Sequence, residues 1–284
     1  MKSAEAAALP EPPGYLVSGM RKYYRIFRAS LIERMVYRAD FFINTILRFL
    51  PMLTTILLWS AVYAEAEEIR GFSFHQMIAY LLLVHISRMF SSMPGLANGI
   101  AHDIRDGSLK KYLVQPLDFL GYLVSYRVAH KTAYIAMSFL PYAGLFLVCN
   151  RFFDSFPDAP TLAAYVVSLV LAFFIGFFFE AMLGMLGFWF LEVSSLLWVV
   201  NTLSFFISGQ ILPLDFLDEP WASILKAMPF QYMAYFPATV FLGKVHGAAL
   251  IQGLLIETFW AFAFFFMARF LFRLGLRRYS AYGG

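Results

Sequence analysis

Six stretches of this 284-residue chain are long and apolar enough to cross a lipid bilayer, and this feature restricts its fold more than any other. A spanning helix needs about 20 mostly apolar residues. Its backbone groups must be hydrogen-bonded within the helix, because the hydrocarbon core holds no water. The sequence therefore predicts an all-α integral membrane protein with six transmembrane helices, at about residues 41–64, 75–96, 132–149, 162–191, 196–212 and 248–272.

The composition excludes an ordinary soluble domain. Hydrophobic residues make up 61% of the chain and charged residues only 14%, whereas about a quarter of the residues in a soluble domain are charged. The net charge of +4 is small and scattered, so it gives no reason to expect a nucleic-acid partner. The single cysteine, Cys149, excludes an intramolecular disulfide.

The first 40 residues are polar in two different ways. Residues 1–14 are rich in Ala, Glu and Pro and lack the features of a signal peptide, so they are predicted to be a disordered tail. Residues 15–40 carry apolar side chains at helical spacing among Lys and Arg, which is typical of a helix lying in the membrane interface. A soluble helix packed on a partner is the alternative. Residues 15–284 are predicted to form one domain, since no repeat or long linker is visible.

The positive charges outside the spans indicate the orientation. With the N-terminus inside, 16 Lys and Arg fall on the cytoplasmic side and four on the other. Loops rich in Lys and Arg stay in the cytoplasm. Both termini are therefore predicted to be cytoplasmic, with a tight turn at residues 192–195 separating spans four and five.

The loop after span two, residues 99–118, is predicted to be a compact cytoplasmic segment. It contains a short charged helix, a break at Gly107 and a second turn that ends at Pro116. A flexible connector would not need the spaced apolar residues Ile104 and Leu109. A short rigid helix of this kind can sit in a cleft of a cytoplasmic partner and transmit its movement. The alternative is an interfacial loop that anchors the helix ends.

The segment between spans five and six, residues 213–243, is too apolar for a solvated loop. Its prolines divide it into pieces that are too short to span a bilayer. Short helices that enter the outer leaflet partway satisfy both constraints, provided that protein surrounds their backbone groups. The prolines are Pro213, Pro220, Pro229 and Pro237, and Trp221, Tyr232 and Tyr235 suit the headgroup level.

Four ionisable residues lie deep in the predicted spans: His85, Arg88, Glu180 and Glu257. A charge at the bilayer centre costs roughly 3 kcal/mol or more, so each needs a partner or a polar cavity. We expect Arg88 to pair with Glu180. Glu257 is expected to pair with His85 or to line a translocation path, and the alternative is that such pairs only fix helix packing. Arg48 is expected to snorkel to the cytoplasmic surface.

Sequence motifs for catalysis are missing. The chain has no phosphate-binding loop, no His and Cys spacing suited to a metal and no nucleophile elbow. We therefore predict no catalytic residue, no metal and no cofactor. Three classes stay open: a transport subunit driven by a separate motor, an ion-coupled secondary transporter, which often has two repeated halves, and a membrane-embedded enzyme or structural subunit.

From Tyr15 onward the chain resembles the permease subunit of a bacterial type 2 ABC exporter. The likeness rests on the order of the features above and on short motifs. These are Tyr37-Arg38-Ala39-Asp40-Phe41, Ile104-Arg105-Asp106-Gly107-Ser108-Leu109, Gln115-Pro116-Leu117, Phe188-Trp189, Pro229-Phe230 and Tyr235-Phe236-Pro237-Ala238.

This resemblance implies a non-catalytic subunit of the bacterial inner membrane, surrounded by lipid. It implies a cytoplasmic ABC ATPase as partner, together with a second copy of the permease or a related permease. The cargo would be an amphiphile, drug, lipid or glycan. Coupling to the ATPase would involve Arg34, Arg38, His102, Asp103, Ile104, Arg105, Asp106, Gly107, Ser108 and Leu109. The outer gate would involve Pro213, Pro229, Tyr232, Tyr235 and Pro237.

Overall fold

The computed structural model describes residues 15–35, 50–153, 156–190 and 192–279. The predicted tail at residues 1–14, Arg38, Arg48 and the first part of the predicted first span lie outside the described residues. Within the described ranges, the regular structure is helical apart from one short antiparallel hairpin. Its strands are β1 (Glu68–Ile69) and β2 (Phe72–Ser73).

Eleven α-helices occur in the described part of the chain. They are α1 (Tyr15–Met35), α2 (Leu50–Val62), α3 (Phe74–Ser91), α4 (Leu96–Arg105), α5 (Lys110–Leu113), α6 (Phe119–Cys149), α7 (Ala159–Met185), α8 (Ser194–Ile207), α9 (Trp221–Ala227), α10 (Tyr235–Phe241) and α11 (Gly247–Arg278). Short 3-10 segments lie at Asn150–Phe152, Leu186–Phe188, Leu214–Phe216 and Pro229–Met233.

Four helical stretches are long and apolar enough to cross a membrane: Phe74–Arg105, Phe119–Phe152, Ala159–Phe188 and Gly247–Arg278. Each exceeds the roughly 20 residues that a bilayer requires. Met52–Val62 and Ser194–Ile207 are apolar but shorter. The prediction of an all-α, multi-pass membrane protein is confirmed, whereas the six-span topology stays a prediction.

The third predicted span begins earlier in the structure than in the sequence analysis. We expected residues 132–149, but α6 starts at Phe119 because the Asp118 side chain accepts a hydrogen bond from the Gly121 N–H at 2.6 Å. Two basic residues in the first half of α6, Arg127 and Lys131, do not interrupt the helix. Lys131 donates to the Ser92 carbonyl at 2.5 Å and Arg127 to the Pro94 carbonyl at 3.1 Å, so both cations bind groups released where α3 ends.

Helix α7 forms the centre of the described fold and packs against α11, α3, α4 and α10. Glycines allow its closest contacts. A Cβ on Gly176 would lie 1.9 Å from the Ser91 carbonyl oxygen, and one on Gly184 would lie 2.7 Å from the carbonyl oxygen of Ala97. Small residues permit such backbone contact between membrane helices. The glycines therefore bring α3 and α4, and the loop that follows them, against the central helix.

Candidate coupling segment and translocation path

Residues 102–109, the candidate coupling turn, comprise the last turn of α4 and the link from it to α5. Gly107 takes a left-handed φ of +79°, which glycine adopts without steric cost. The Ser108 hydroxyl donates to Asp103 Oδ1 at 2.6 Å, and the Ser108 N–H donates to Asp106 Oδ1 at 3.0 Å. Leu109 is completely buried. The turn is therefore fixed by its own hydrogen bonds and by an apolar anchor.

The same turn exposes its charged side chains. His102 lies 3.2 Å from Asp106, and Arg105 lies 3.7 Å from Glu192 at the start of the α8 segment. The pKa of Asp106 is lowered because the Ser108 backbone N–H donates a hydrogen bond to its carboxylate. The pKa of Glu192 is lowered by hydrogen bonds from Ser194. Both acids are therefore charged at neutral pH and face water.

His102, Asp103 and Asp106 are the only group in the described ranges whose ligand atoms could surround a metal ion, within 4.8 Å of one another. Asp103 Oδ1 already accepts from Ser108 and faces Lys111 at 3.5 Å. Asp106 already accepts from the Ser108 N–H. Hydrogen bonds and ion pairs of the turn therefore account for this cluster without a metal.

Asp118 lies at the end of the coupling loop, which is the stretch between α4 and α6. It connects three helices. It caps α6, it forms an ion pair with Arg269 of α11, and its backbone N–H donates to the Tyr23 hydroxyl of α1 at 3.3 Å. No local pattern in the sequence joins Asp118 to Arg269, so this junction was not predicted. Asp before an apolar helical run is the one signal in the sequence, because Asp is a preferred N-cap.

Two further residues were predicted to contact an ATPase, Arg34 and Arg38. Arg34 falls in the last turn of α1, but its side chain is not among the described ones, and Arg38 lies outside the described residues. Helix α1 packs along α6. The N-terminal helix is therefore held against α6, the first long helix after the coupling turn.

The structure brings Arg88 and Glu180 near one another at the break between α3 and α4. No ion pair within 4 Å joins them among the described residues, so their pairing stays a prediction. Glu180 also faces Arg127 and the backbone of Ala97. Arg127 was not predicted as a neighbour, because it precedes the third predicted span, which begins at about residue 132. The role of the cluster stays a prediction.

Glu257 lies in α11 and is fully buried. Neither of its carboxylate oxygens has a hydrogen-bond partner in the described part of the chain. Its surroundings include Ser168 of α7 and Tyr232 of the segment before α10. The His85 Nε2 lies 2.7 Å from the Tyr142 hydroxyl, and the pairing of Glu257 with His85 stays a prediction.

The segment between α8 and α11 consists of short helical pieces that pack on α3 and α7. Tyr80 of α3 donates to the Gly209 carbonyl at 2.5 Å, and Ser91 donates to the Met233 carbonyl at 2.8 Å. Asp215 binds both Lys226, at 2.5 Å, and the Tyr235 hydroxyl, at 2.8 Å. All five predicted gate residues are buried: Pro213, Pro229, Tyr232, Tyr235 and Pro237.

Helix α8 has few neighbours among the described residues and exposes large apolar side chains. Trp198 is 71% exposed and Phe206 is 60% exposed. Beside them lies a cavity of about 480 Å³ whose lining includes the polar residues Asn98, Asn201 and Thr202. The described part of the chain thus leaves an apolar face of α8, with polar groups on it, uncovered.

Comparison with known proteins gives one positive result. A family model described as ABC-2 family transporter protein matches residues 49–283. The match begins next to α2 and includes the coupling turn, the short helical pieces before α11, and α11 itself. The comparison with curated proteins found no match.

Proposed function

The chain belongs to the ABC-2 family of transporter proteins, and from this we propose that it is the permease of an exporter powered by a separate ABC ATPase. Membership confirms a type 2 ABC permease, which is a membrane transport component. The proposal adds the direction of transport, the ATP-driven mechanism, and a cargo that is an amphiphile, drug, lipid or glycan.

The coupling turn at residues 102–109 is the observation that carries this proposal. Its backbone is fixed by Asp103, Ser108 and buried Leu109, while Arg105 and His102 remain about half or more exposed. A rigid element transmits a push without deforming, and exposed charges give a partner something to recognise. These residues therefore suit contact with a cytoplasmic ATPase.

In the proposed topology, six helices cross the bacterial inner membrane and both termini are cytoplasmic. Residues 15–284 form one permease domain, with α1 at the cytoplasmic interface. The short helical pieces between α8 and α11 then lie in the outer leaflet and gate the outer end of the path. The 16-to-four distribution of Lys and Arg supports this orientation.

Helix α8 supports the proposal of a second permease. Its exposed aromatic residues and the polar cavity at Asn201 suit either a contact with another chain or the wall of a path between two chains. Polar residues in spans normally face protein or a water-filled cavity, not lipid. We propose that a second copy, or a related permease, covers this face.

Co-purification tests the proposal directly. The protein is solubilised from its native membrane and captured, and bound proteins are identified by mass spectrometry. We expect an ATPase with a phosphate-binding loop, and we expect its loss in the Asp103→Ala/Arg105→Ala/Asp106→Ala variant. The control is Arg70→Ala/Asp218→Ala, which removes an exposed ion pair elsewhere in the chain.

Folding of both variants is checked by size-exclusion chromatography and thermal unfolding, so that lost binding is not mistaken for lost structure. Recovery of the permease alone, with transport in ATP-free vesicles under a proton or sodium gradient, would contradict the proposal. That result would favour an ion-coupled transporter, and buried Glu257 would be the first residue to replace.

A further inference from the structure

A groove of about 660 Å³ runs along the outside of the helix bundle, between α6 and α11 and over α7. Its size falls within the roughly 300–1,000 Å³ range of small-molecule sites. Its walls are almost entirely apolar and aromatic. They are formed by Leu120, Val124, Leu171, Phe174, Phe178, Ala261, Phe262 and Phe265.

The groove opens toward lipid and not toward the interior of the bundle. In the apolar 18-residue stretch of α6, and likewise in that of α11, only 17% of the residues are buried. The corresponding share in α7, which forms the floor of the groove, is 56%. In the proposed topology the exposed side chains of α6 and α11 meet the hydrocarbon of the bilayer, since the lining of this groove, unlike that of the cavity at α8, is almost entirely apolar. The first molecule able to fill the groove is therefore a membrane lipid.

One end of the groove is polar, and it is formed by Tyr23, Asp118 and Arg269. The Asp118 carboxylate already accepts from the Gly121 N–H and from Arg269. Arg269 is one-third exposed, and among the described residues its partners are Asp118 and the ring of Phe265. A guanidinium carries five N–H donors, so donors remain at the mouth of the groove.

These donors favour a phosphate. Arg binds phosphate through paired, charge-assisted hydrogen bonds, which are about twice as strong as neutral ones. The Asp118 carboxylate shares the Arg269 guanidinium with the phosphate through different N–H groups, and the positive N-terminal end of α6, which Asp118 caps, stabilises both anions. The length agrees as well, because Ala261 lies about 12 Å along the helix from Arg269, close to half of the roughly 30 Å hydrocarbon core.

We propose that this groove binds one phospholipid of the surrounding leaflet, with its phosphate on Arg269 and an acyl chain along α7 between α6 and α11. The bound lipid contacts α1 through Tyr23 and thereby joins the N-terminal helix to the last one. The site is distinct from the coupling turn and from the cluster at Glu257, and it depends only on α6, α7 and α11 crossing the bilayer.

Native mass spectrometry of the intact detergent-solubilised complex tests the site. We expect one phospholipid per permease chain to survive a delipidating wash. Arg269→Gln should lower its retention about tenfold, as expected for the loss of a charged hydrogen bond. Ala261→Leu should lower it similarly by filling the groove while the pair between Arg269 and Asp118 stays intact.

Two matched controls share the same helix. Arg273→Gln removes an exposed arginine one turn further along α11, and Ala263→Leu enlarges an alanine that does not line the groove. Both should retain the lipid. Added phosphatidylethanolamine or phosphatidylglycerol should rebind to delipidated protein, whereas diacylglycerol, which lacks the phosphate, should not.

The proposal is overturned if the wild type retains no phospholipid, if all four variants retain it equally, or if diacylglycerol binds as well as phospholipid. Loss in Arg269→Gln but not in Ala261→Leu would also overturn it, because the acyl chain would then not occupy the groove. None of these readouts uses ATPase binding or transport, so the result is independent of the proposed function.

Discussion

Arg269, near the end of the last helix, forms an ion pair with Asp118, the residue that caps the helix after the coupling loop. The two residues lie 151 positions apart in the chain. Their contact means that the coupling loop is tied to the last membrane helix and, through Tyr23, to the N-terminal helix. We therefore expect movement of the loop to be passed to both helices.

The two roles of Asp118 can be separated by substitution. Asp118→Asn keeps an oxygen that can cap α6, since Asn and Asp are equally good N-caps, but it removes the charge that binds Arg269. Asp118→Ala removes both. We expect Asp118→Asn to lower the free energy of unfolding by at most about 1 kcal/mol, because the pair is partly exposed. Asp118→Ala should lower the free energy of unfolding by about a further 0.5–2 kcal/mol.

Thermal unfolding in detergent measures these differences with a thiol-reactive dye, because the only cysteine, Cys149, is buried. Asp158→Ala is the matched control, since Asp158 caps α7 without an ion pair among the described residues. The stability lost in Asp158→Ala should equal the stability that Asp118→Ala loses beyond Asp118→Asn. Equal stability of Asp118→Asn and Asp118→Ala would show that the cap contributes nothing.

A second prediction concerns Arg105 and Glu192, which lie 3.7 Å apart across the coupling turn and the start of the α8 segment. Arg105→Glu should abolish ATPase binding if Arg105 itself contacts the partner. The exchange Arg105→Glu/Glu192→Arg restores opposite charges within the chain but leaves the partner facing the wrong sign. We therefore expect the double variant to fold like the wild type and still to bind the ATPase at least about tenfold more weakly.

The measurement is the affinity of purified ATPase for permease reconstituted in nanodiscs. Binding that returns to the wild-type value in the double variant would mean that Arg105 acts only by holding the two turns together. Because Glu192 is exposed and outside the predicted coupling residues, Glu192→Gln serves as the control and should leave the affinity unchanged.

Close packing of α7 on α3 leads to a third prediction. Gly176→Ala would place a methyl group 1.9 Å from the Ser91 carbonyl oxygen, so the backbones must separate. We expect a loss of about 1–3 kcal/mol in stability, the usual cost of overpacking. Gly144→Ala is the control, because its added methyl meets nothing within 4 Å, and it should be neutral or stabilise α6 by up to about 1 kcal/mol.

The helices could be predicted because hydrophobicity alone determines which segments enter a bilayer. The start of α6 was missed, since Arg127 and Lys131 resemble the charges of a loop until the carbonyls of Pro94 and Ser92 are seen beside them. The ordered coupling turn could be anticipated from its glycine and spaced apolar residues. The junction at Asp118 could not, because a contact across 151 positions leaves no local pattern.

The last prediction concerns Glu257, whose two carboxylate oxygens are buried and lack hydrogen-bond partners in the described structure. A buried polar group without partners costs about 1–3 kcal/mol. Glu257→Leu removes that cost while keeping a side chain of similar length, so it should raise the free energy of unfolding by about that amount. Asp215→Leu, by contrast, breaks bonds to Lys226 and Tyr235 and should lower it.

Both variants are compared by thermal unfolding, with and without delipidation, alongside Glu257→Gln. A loss of stability in Glu257→Leu would contradict the prediction and show that the carboxyl group has a partner, such as a cation or a polar cargo group, that the described part of the chain does not supply. Stabilisation with lost transport would instead assign Glu257 to the path, because a polar group retained at this cost serves activity and not packing.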